Sequence, residues 1–268
     1  MKVAVIQMNA GGNKQENVAR AIFLVERAIE NRAKFILLPE AYSFRGPLSA
    51  GRGGKAIAEN IPGESTRPFM KIAQEKKVSL LLGSLYEKAP DKQKAYNTSV
   101  LINDLGRIQA KYRKINLFDA VLRPGKIRES RRFLPGRSTA TAMVDNLKIG
   151  MAICFDLRFP ELFRKYFHDG VQVFCVPSSF TKKTGEAHWE VLLRARAIES
   201  LSYVLAPNQF GQDGHGMSSY GHSLIIDPWG KVIARASATK EEILYADIEQ
   251  RFIQKARASF PGMFRFKR

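Results

Sequence analysis

Lys148-Ile149-Gly150-Met151-Ala152-Ile153-Cys154-Phe155-Asp156-Leu157-Arg158-Phe159-Pro160-Glu161-Leu162 is an apolar run that delivers a cysteine to a turn just ahead of a new helix. Lys148 to Ile153 reads as a strand. Pro160 opens a helix, because its fixed φ suits the first turn and its missing N–H is one that the helix leaves unbonded anyway. Cys154 is thereby presented at the carboxyl end of a strand, the edge at which open α/β sheets form their ligand crevices. Free cysteines more often pack as small hydrophobes. Cys175, inside Val171-Gln172-Val173-Phe174-Cys175-Val176 with neither turn nor charge around it, reads as core in that sense. Cys154 departs from that pattern because Asp156, Arg158 and Glu161 gather around it, and it is the candidate nucleophile.

Outward from this stretch the chain alternates strand and helix. Val3 to Met8 reads as a buried strand, and Lys14 to Arg32 as an amphipathic helix with Val18, Ile22, Val25 and Ile29 on one stripe. Phe35 to Leu38 reads as a second buried strand ending at Pro39-Glu40. A glycine-rich basic loop, Arg45 to Lys55, follows. Ser65 or Thr66 can cap a helix through about Lys77, Val78 to Leu85 forms another strand, and Thr98 to Ile102 leads through a turn into Ile108. The second half repeats the grammar: a helix from Pro160 to about Phe167, the strand Val171 to Val176, a helix from about Glu186 to Leu201, then Tyr203 to Ala206. Leu224-Ile225-Ile226-Asp227-Pro228-Trp229-Gly230-Lys231-Val232-Ile233 echoes Leu101-Ile102-Asn103-Asp104-Leu105-Gly106-Arg107-Ile108. Two pseudo-symmetric halves follow, each a sheet covered by helices. Both sheets bury near-continuous Val/Ile/Leu runs, so the expected fold class is α/β, a four-layer α-β-β-α sandwich.

One domain over the 268 residues is expected, with 45% hydrophobic content. No apolar run approaches the roughly 20 residues that a membrane helix requires, and the N-terminus starts directly on a strand pattern, so a cytoplasmic protein is expected. Two cysteines in apolar segments argue against a disulfide framework and fit a reducing compartment. The net charge of +18, from 43 Lys plus Arg against 25 Asp plus Glu, raises the question of a polyanionic partner. The basic residues are dispersed, however, and no nucleic-acid-binding signature accompanies them, so nucleic acid is not the expected partner. The local clusters Arg123 to Arg132 and Arg265 to Arg268 read as solvated surface. An anionic substrate would still benefit from the overall field. The four histidines show no metal-ligand spacing, and no metal or other cofactor is expected.

Two further polar residues end buried runs. Glu40 follows Phe35-Ile36-Leu37-Leu38-Pro39, and Lys114 lies in Lys111-Tyr112-Arg113-Lys114-Ile115-Asn116. Taken singly, each reads as a solvated strand end. With Cys154 they form a chemically coherent set: a carboxylate base to take the thiol proton, a nucleophile, and a fixed cation for a developing oxyanion.

Leu38-Pro39-Glu40, Tyr112-Arg113-Lys114, Ile153 through Leu162, and Thr184-Gly185-Glu186-Ala187-His188-Trp189-Glu190 followed by Leu193-Arg194-Ala195-Arg196-Ala197 resemble the nitrilase, or carbon–nitrogen hydrolase, superfamily, in order over nearly the whole chain. Ser219-Tyr220-Gly221-His222-Ser223 with Asp227-Pro228-Trp229-Gly230 resembles its omega-amidase and deaminated-glutathione-amidase branch. The resemblance implies the four-layer sandwich and a Glu-Lys-Cys triad on Glu40, Lys114 and Cys154. It also implies a second glutamate on Glu129, which orients the lysine and the substrate, and a homodimer or larger homo-oligomer. Two positions depart from the family pattern: Asn116 stands where close relatives usually carry histidine, and Phe155 where tyrosine is frequent. The Arg45 to Lys55 loop also differs from the usual segment.

The chemistry so implied is hydrolysis of a small carboxylated amide, deaminated glutathione or a 2-oxo dicarboxylate omega-amide, through a cysteine thioester. Lys114 and the backbone N–H of Phe155 form the oxyanion hole. Tyr42, Arg158, Phe180, Thr181 and His188 are the expected substrate contacts, with Arg158, Arg194 or Arg196 able to supply a fork for a carboxylate. Other readings stay open: nitrile or N-carbamoyl hydrolysis on the same triad, a cysteine paired with His188 or His222 as in a protease, and a non-catalytic binding protein.

Overall fold

Alternation along the central strands decides how the layers stack. Val3 and Val5, Phe35 and Leu37, Leu81 and Leu101 belong to one apolar cluster, whereas their neighbours Ala4 and Ile6, Ile36 and Leu38, Leu80 and Leu82 belong to another that contains Ala21, Leu24, Phe69 and Ala73. Successive strand residues face opposite sides of a sheet, so one face meets a second sheet and the other meets helices. The computed structural model describes residues 1–46, 57–91, 93–122, 125–214 and 216–264.

In chain order the elements are β1 (Lys2–Gln7), α1 (Lys14–Glu30), β2 (Phe35–Leu37), α2 (Arg67–Lys76), β3 (Ser79–Lys88), β4 (Ala95–Ile102), β5 (Ile108–Arg113), β6 (Asp119–Leu122), β7 (Gly125–Arg128), β8 (Thr141–Val144), β9 (Leu147–Met151), α3 (Pro160–His168), β10 (Val173–Cys175), α4 (Lys182–Ser200), β11 (Tyr203–Ala206), β12 (Phe210–Gln212), β13 (Ser218–Tyr220), β14 (Leu224–Ile226), β15 (Val232–Arg235), β16 (Glu242–Asp247) and α5 (Gln250–Ala258). Among the described residues the strands pair into two six-stranded sheets, β16-β1-β2-β3-β4-β5 and β8-β9-β10-β11-β14-β15, and two short hairpins, β6-β7 and β12-β13. Written in these directions, the sheets share one pattern. An antiparallel edge strand is followed by three parallel strands and then two antiparallel ones.

The pseudo-symmetry read from sequence extends to the turns. Gly106 N–H donates to Asn103 O at 2.9 Å and Gly230 N–H to Asp227 O at 2.9 Å, with both glycines at positive φ, 73° and 81°. In each turn the leading Asn or Asp side chain accepts two backbone N–H groups. One exchange breaks the repeat. The edge strand beside β1 is β16, from the far end of the chain, whereas β8 sits beside β9 as its immediate predecessor.

Several expectations shift. On α1 the buried residues are Asn17, Ala21, Leu24, Val25 and Ala28, with Val18, Ile22 and Ile29 at the edges of the contact. Asn17 turns the helix: its Nδ2 donates to Gly11 O and Ser43 O, and its Oδ1 accepts the Gly11 N–H. α4 begins at Lys182, ahead of the expected Glu186. Gly185, a weak helix former, hides the true start. It is required there because a Cβ would lie 2.3 Å from the Tyr220 ring. The strand before Cys154 stops at Met151. Thr66 precedes α2 without a side-chain cap; its hydroxyl is engaged with Gly63. The segments β6, β7, β8, β12, β13, β16 and α5 escape the sequence reading, α5 even though its apolar residues keep a helical period. Most of the Arg45 to Lys55 loop, Arg123, and Arg265 to Arg268 lie outside the described residues.

Candidate active site

Glu40 leaves β2 through a close approach to β3. The β3–β4 register slips between Leu82 and Leu85, a bulge containing Gly83 and Ser84. At Gly83 a Cβ would lie 2.1 Å from the carbonyl oxygens of both Leu38 and Pro39, so only glycine admits the strand end. Ser84 Oγ accepts the Ala41 N–H at 2.9 Å, and Ala41 adopts φ 56°, turning the chain sharply after Glu40. Lys114 follows directly on β5, its N–H bonded to Asn97 O at 2.8 Å and its carbonyl accepting Gly136 N–H at 2.7 Å.

Cys154 opens a 3-10 turn with φ 48°, a left-handed conformation uncommon for a non-glycine residue. The turn is held by Asp156, fully buried, whose carboxylate accepts the Ile153 N–H at 2.9 Å, the Tyr112 hydroxyl at 2.7 Å, and both the N–H and the side-chain amide of Asn116 at 2.9 Å each. Asn116, the departure noted above, thus braces the nucleophile turn. The Cys154 N–H donates to Pro177 O at 3.0 Å. The Phe155 N–H, next in the turn, lies outside the turn's own ladder.

These elements bring the four expected residues together. Lys114 Nζ donates to Glu40 Oε1 at 2.9 Å and pairs with Glu129 Oε2 at 2.9 Å, with the lysine side chain 2% exposed. Asn97 Nδ2 bridges the same two carboxylates, at 2.9 Å from Glu40 and 3.2 Å from Glu129. Glu129 also accepts the Phe118 N–H, and Glu40 accepts the Ser179 N–H at 2.8 Å. Glu40 lines the same cleft as Cys154, and it is the carboxylate that acts on the thiol. Burial, then the charge of Glu40, pushes the thiol well above the ordinary cysteine range against the pull of Lys114, so the resting sulfur carries its proton. Burial alone would lower the Lys114 ammonium, but Glu129 and Glu40 outweigh it and hold the lysine well above its usual value. The arrangement is a protonated nucleophile beside a base, with a fixed cation adjacent.

The four open onto a cleft of about 620 Å³ whose wall also includes Thr181, Ser179 and Ser219. Lys126, Arg128, Arg131 and Arg132 line it too, so this part of the basic cluster read as solvated surface is a cleft wall. The β6-β7 hairpin, unseen in the sequence, folds it inward. The other expected contacts do not line this cleft, although Arg158 stays within charge range of Cys154. Tyr42 is fully buried, donates to Ser65 O at 2.6 Å and packs edge-on against Phe69. Phe180 packs on Trp189, and the Arg158 guanidinium stacks over Phe155 and Phe180 with Nη2 3.2 Å from Nδ1 of the exposed His188. Arg196 is spent on Leu157 O and Glu199, and Arg194 on Gly230 O. His222 accompanies Tyr220, its ring stacked on the tyrosine and Nδ1 2.8 Å from Tyr220 O. Asn97, Ser179 and Arg45 are among the cleft residues that sequence reasoning missed. Asn97 lies in an ordinary strand, and the Ser179 contribution is a backbone N–H that no side-chain pattern reveals.

The whole of this architecture matches a known family. The carbon–nitrogen hydrolase family model matches residues 2–258, and the chain belongs to that family. It is a hydrolase acting on carbon–nitrogen bonds other than peptide bonds. Among curated relatives, human omega-amidase NIT2 is 38% identical, the match covering 100% of this chain and 95% of that protein. Mouse deaminated glutathione amidase is 40% identical over 97% of this chain and 81% of its own length. Among solved structures, the C. elegans NitFhit protein superposes with a TM-score of 0.90 at 32% identity, covering 99% of this chain, which spans 65% of that protein.

Proposed function

We propose that the protein is a cysteine-dependent amidase for a small carboxylated amide, of the class of deaminated glutathione or a 2-oxo dicarboxylate omega-amide. The observation that carries this reading is the Glu40 carboxylate, which bonds the Lys114 ammonium at 2.9 Å and shares the cleft with Cys154, on whose thiol its charge acts. Glu40 takes the thiol proton as sulfur attacks the amide carbonyl carbon, and the oxyanion forms against Lys114 and the Phe155 N–H. Collapse expels the amine or ammonia, which leaves with the proton held by Glu40. Glu40 then takes a proton from water as its oxygen attacks the thioester, and the carboxylate product departs as the thiol is restored. Glu129, bonded to Lys114 and the Phe118 N–H, positions the lysine.

The names of the relatives and the basic cleft wall favour an anionic acyl chain. Release of ammonia by the purified protein, across carboxylated amides, nitriles and N-carbamoyl compounds with Cys154→Ala as control, tests the reading. Carboxylated amides should lead the panel, and a flat response across all three would return the chain to the non-catalytic alternative. Two coarser features belong to the same proposal. A homodimer or larger assembly would cover the exposed Val191, Ile198, Trp229 and Phe260, which light scattering checks. The two free cysteines suit a reducing, cytoplasmic setting.

A further inference from the structure

Arg45 lies just beyond the Glu40 turn, is 6% exposed, and still forms part of the wall of the cleft that holds Cys154. Its Nη1 donates to Asn9 Oδ1 at 3.0 Å and Gln209 Oε1 at 3.2 Å, and its Nη2 to Ser219 Oγ at 2.8 Å. These acceptors are all neutral. Asp213 and Glu40 act on the guanidinium only through charge, and burial pulls it below the ordinary arginine value. A guanidinium carries five N–H donors, and Nε together with the second Nη2 hydrogen has no acceptor among the described residues. A buried guanidinium whose direct partners are neutral, and which Asp213 and Glu40 offset only from a distance, gains further from an anion in direct contact.

The position relative to the chemistry is also defined. Ser219 Oγ lies 3.1 Å from Ser179 Oγ, and the Ser179 N–H donates to Glu40 Oε2 at 2.8 Å. A short run of polar groups therefore joins the guanidinium to the base along one wall, within the reach of a small substrate. Of the arginines that sequence reading offered for this task, Arg196 and Arg194 are bonded to backbone carbonyls, while Arg158, in charge range of Cys154, is stacked on aromatic faces and is not on the cleft wall that Arg45 shares.

We propose that Arg45, with the Ser219 hydroxyl beside it, seats the carboxylate of the substrate and makes the enzyme selective for short dicarboxylic acid monoamides. This rests on the amidase reading above. The guanidinium offers a planar pair of donors that a carboxylate accepts with both oxygens, while the far amide reaches Cys154.

The test compares kcat/KM for succinamate with that for succinamide, isosteric and uncharged, in the full chain and in Arg45→Lys, Arg45→Gln and Ser219→Ala. The expected result is a preference for succinamate that falls about 10- to 100-fold in both Arg45 variants, chiefly through KM, and several-fold in Ser219→Ala. A role confined to bracing Asn9 and Gln209 would lower both rates together and leave their ratio in place, which overturns the assignment. Should Arg45→Gln fail to fold, crystals of Cys154→Ala soaked with succinamate decide: the carboxylate on Arg45 and Ser219 supports the proposal, and the carboxylate on Arg158 or on the rim arginines overturns it. If the unmodified protein releases ammonia from neither compound, the amidase reading falls and this proposal with it. If it hydrolyses both and the ratio does not move, only the Arg45 assignment falls.

Discussion

Glu40 and Glu129 both touch the Lys114 ammonium, yet their surroundings assign them different work. Glu129 is engaged by Lys114, Asn97 and the Phe118 N–H, while Glu40 alone acts on the thiol. Glu40→Gln keeps the shape and removes the base, so kcat should drop about 100- to 10,000-fold with the fold intact by circular dichroism. Lys114→Met strips the cation from two buried carboxylates; activity should vanish and stability should fall by about 3–5 kcal/mol in urea titration. Cys154→Ser, by contrast, should be inactive but close to the parent in stability. The raised thiol has its own signature. Inactivation by iodoacetamide should be slow at pH 7 and keep rising about tenfold per pH unit through pH 9, whereas an ordinary cysteine levels off near its pKa of about 8.5. A plateau at or below about pH 8.5 would show that the sulfur ionises freely. At this scale the sequence was informative wherever chemistry needs a particular side chain, as at Glu40, Lys114 and Cys154. It was silent at Asn97 and Ser179, which contribute an ordinary amide and a backbone N–H.

Among the secondary-structure elements, the ends of strands hold the site, and each end has its own device. The β3 bulge accepts the Glu40 turn only because Gly83 has no side chain, its place lying 2.1 Å from two carbonyl oxygens. Gly83→Ala must push Leu38 and Pro39 away, so kcat/KM should fall at least tenfold and the thermal midpoint by several degrees. Unchanged kinetics would mean that the strand end can shift without moving the carboxylate. Asp156 plays the equivalent part for Cys154. Asp156→Asn turns one acceptor oxygen into a donor facing N–H and hydroxyl donors, a loss of about 1–3 kcal/mol together with disorder at Cys154. Calorimetry and turnover check both halves. Long apolar strands and the Pro160 helix were legible because periodicity and a fixed φ announce them. The β6-β7 hairpin was not, since its basic residues match a solvated loop equally well, and only its fold toward Lys114 makes it a wall.

For the molecule as a whole, net charge of +18 and a basic cleft rim make long-range attraction part of the proposed activity. Raising salt from about 0.02 to 0.5 M should lower kcat/KM for a carboxylated amide several-fold and leave that for its neutral analogue nearly level. Stability should form a plateau in pH with two flanks. Despite its burial, Glu87 is held down to about 2 by Arg113, Lys111 and Thr98, so its contribution is present above about pH 4.5 and is lost as pH falls toward 2. Lys114 is held above its unfolded value of 10.5, so its contribution is present below that pH and is lost as pH rises through the folded value; melting curves across both ranges check the two signs. The layered architecture was readable because buried parallel strands must be apolar throughout, and the echo between Leu101-Ile102 and Leu224-Ile225 exposed the repeat. The return of β16 to the first sheet was not readable, because strand pairing between distant segments leaves no local pattern. The sequence by itself determined the family, the alternation of layers and the three candidate reactive residues, since composition and period are properties of neighbouring positions. Only the tertiary structure decided that Glu40 shares a cleft with the thiol, that the Arg128 cluster walls the cleft, and that Arg45 faces it. Distance between residues far apart in the chain is set by packing of the sheets and bulges, not by any spacing along it.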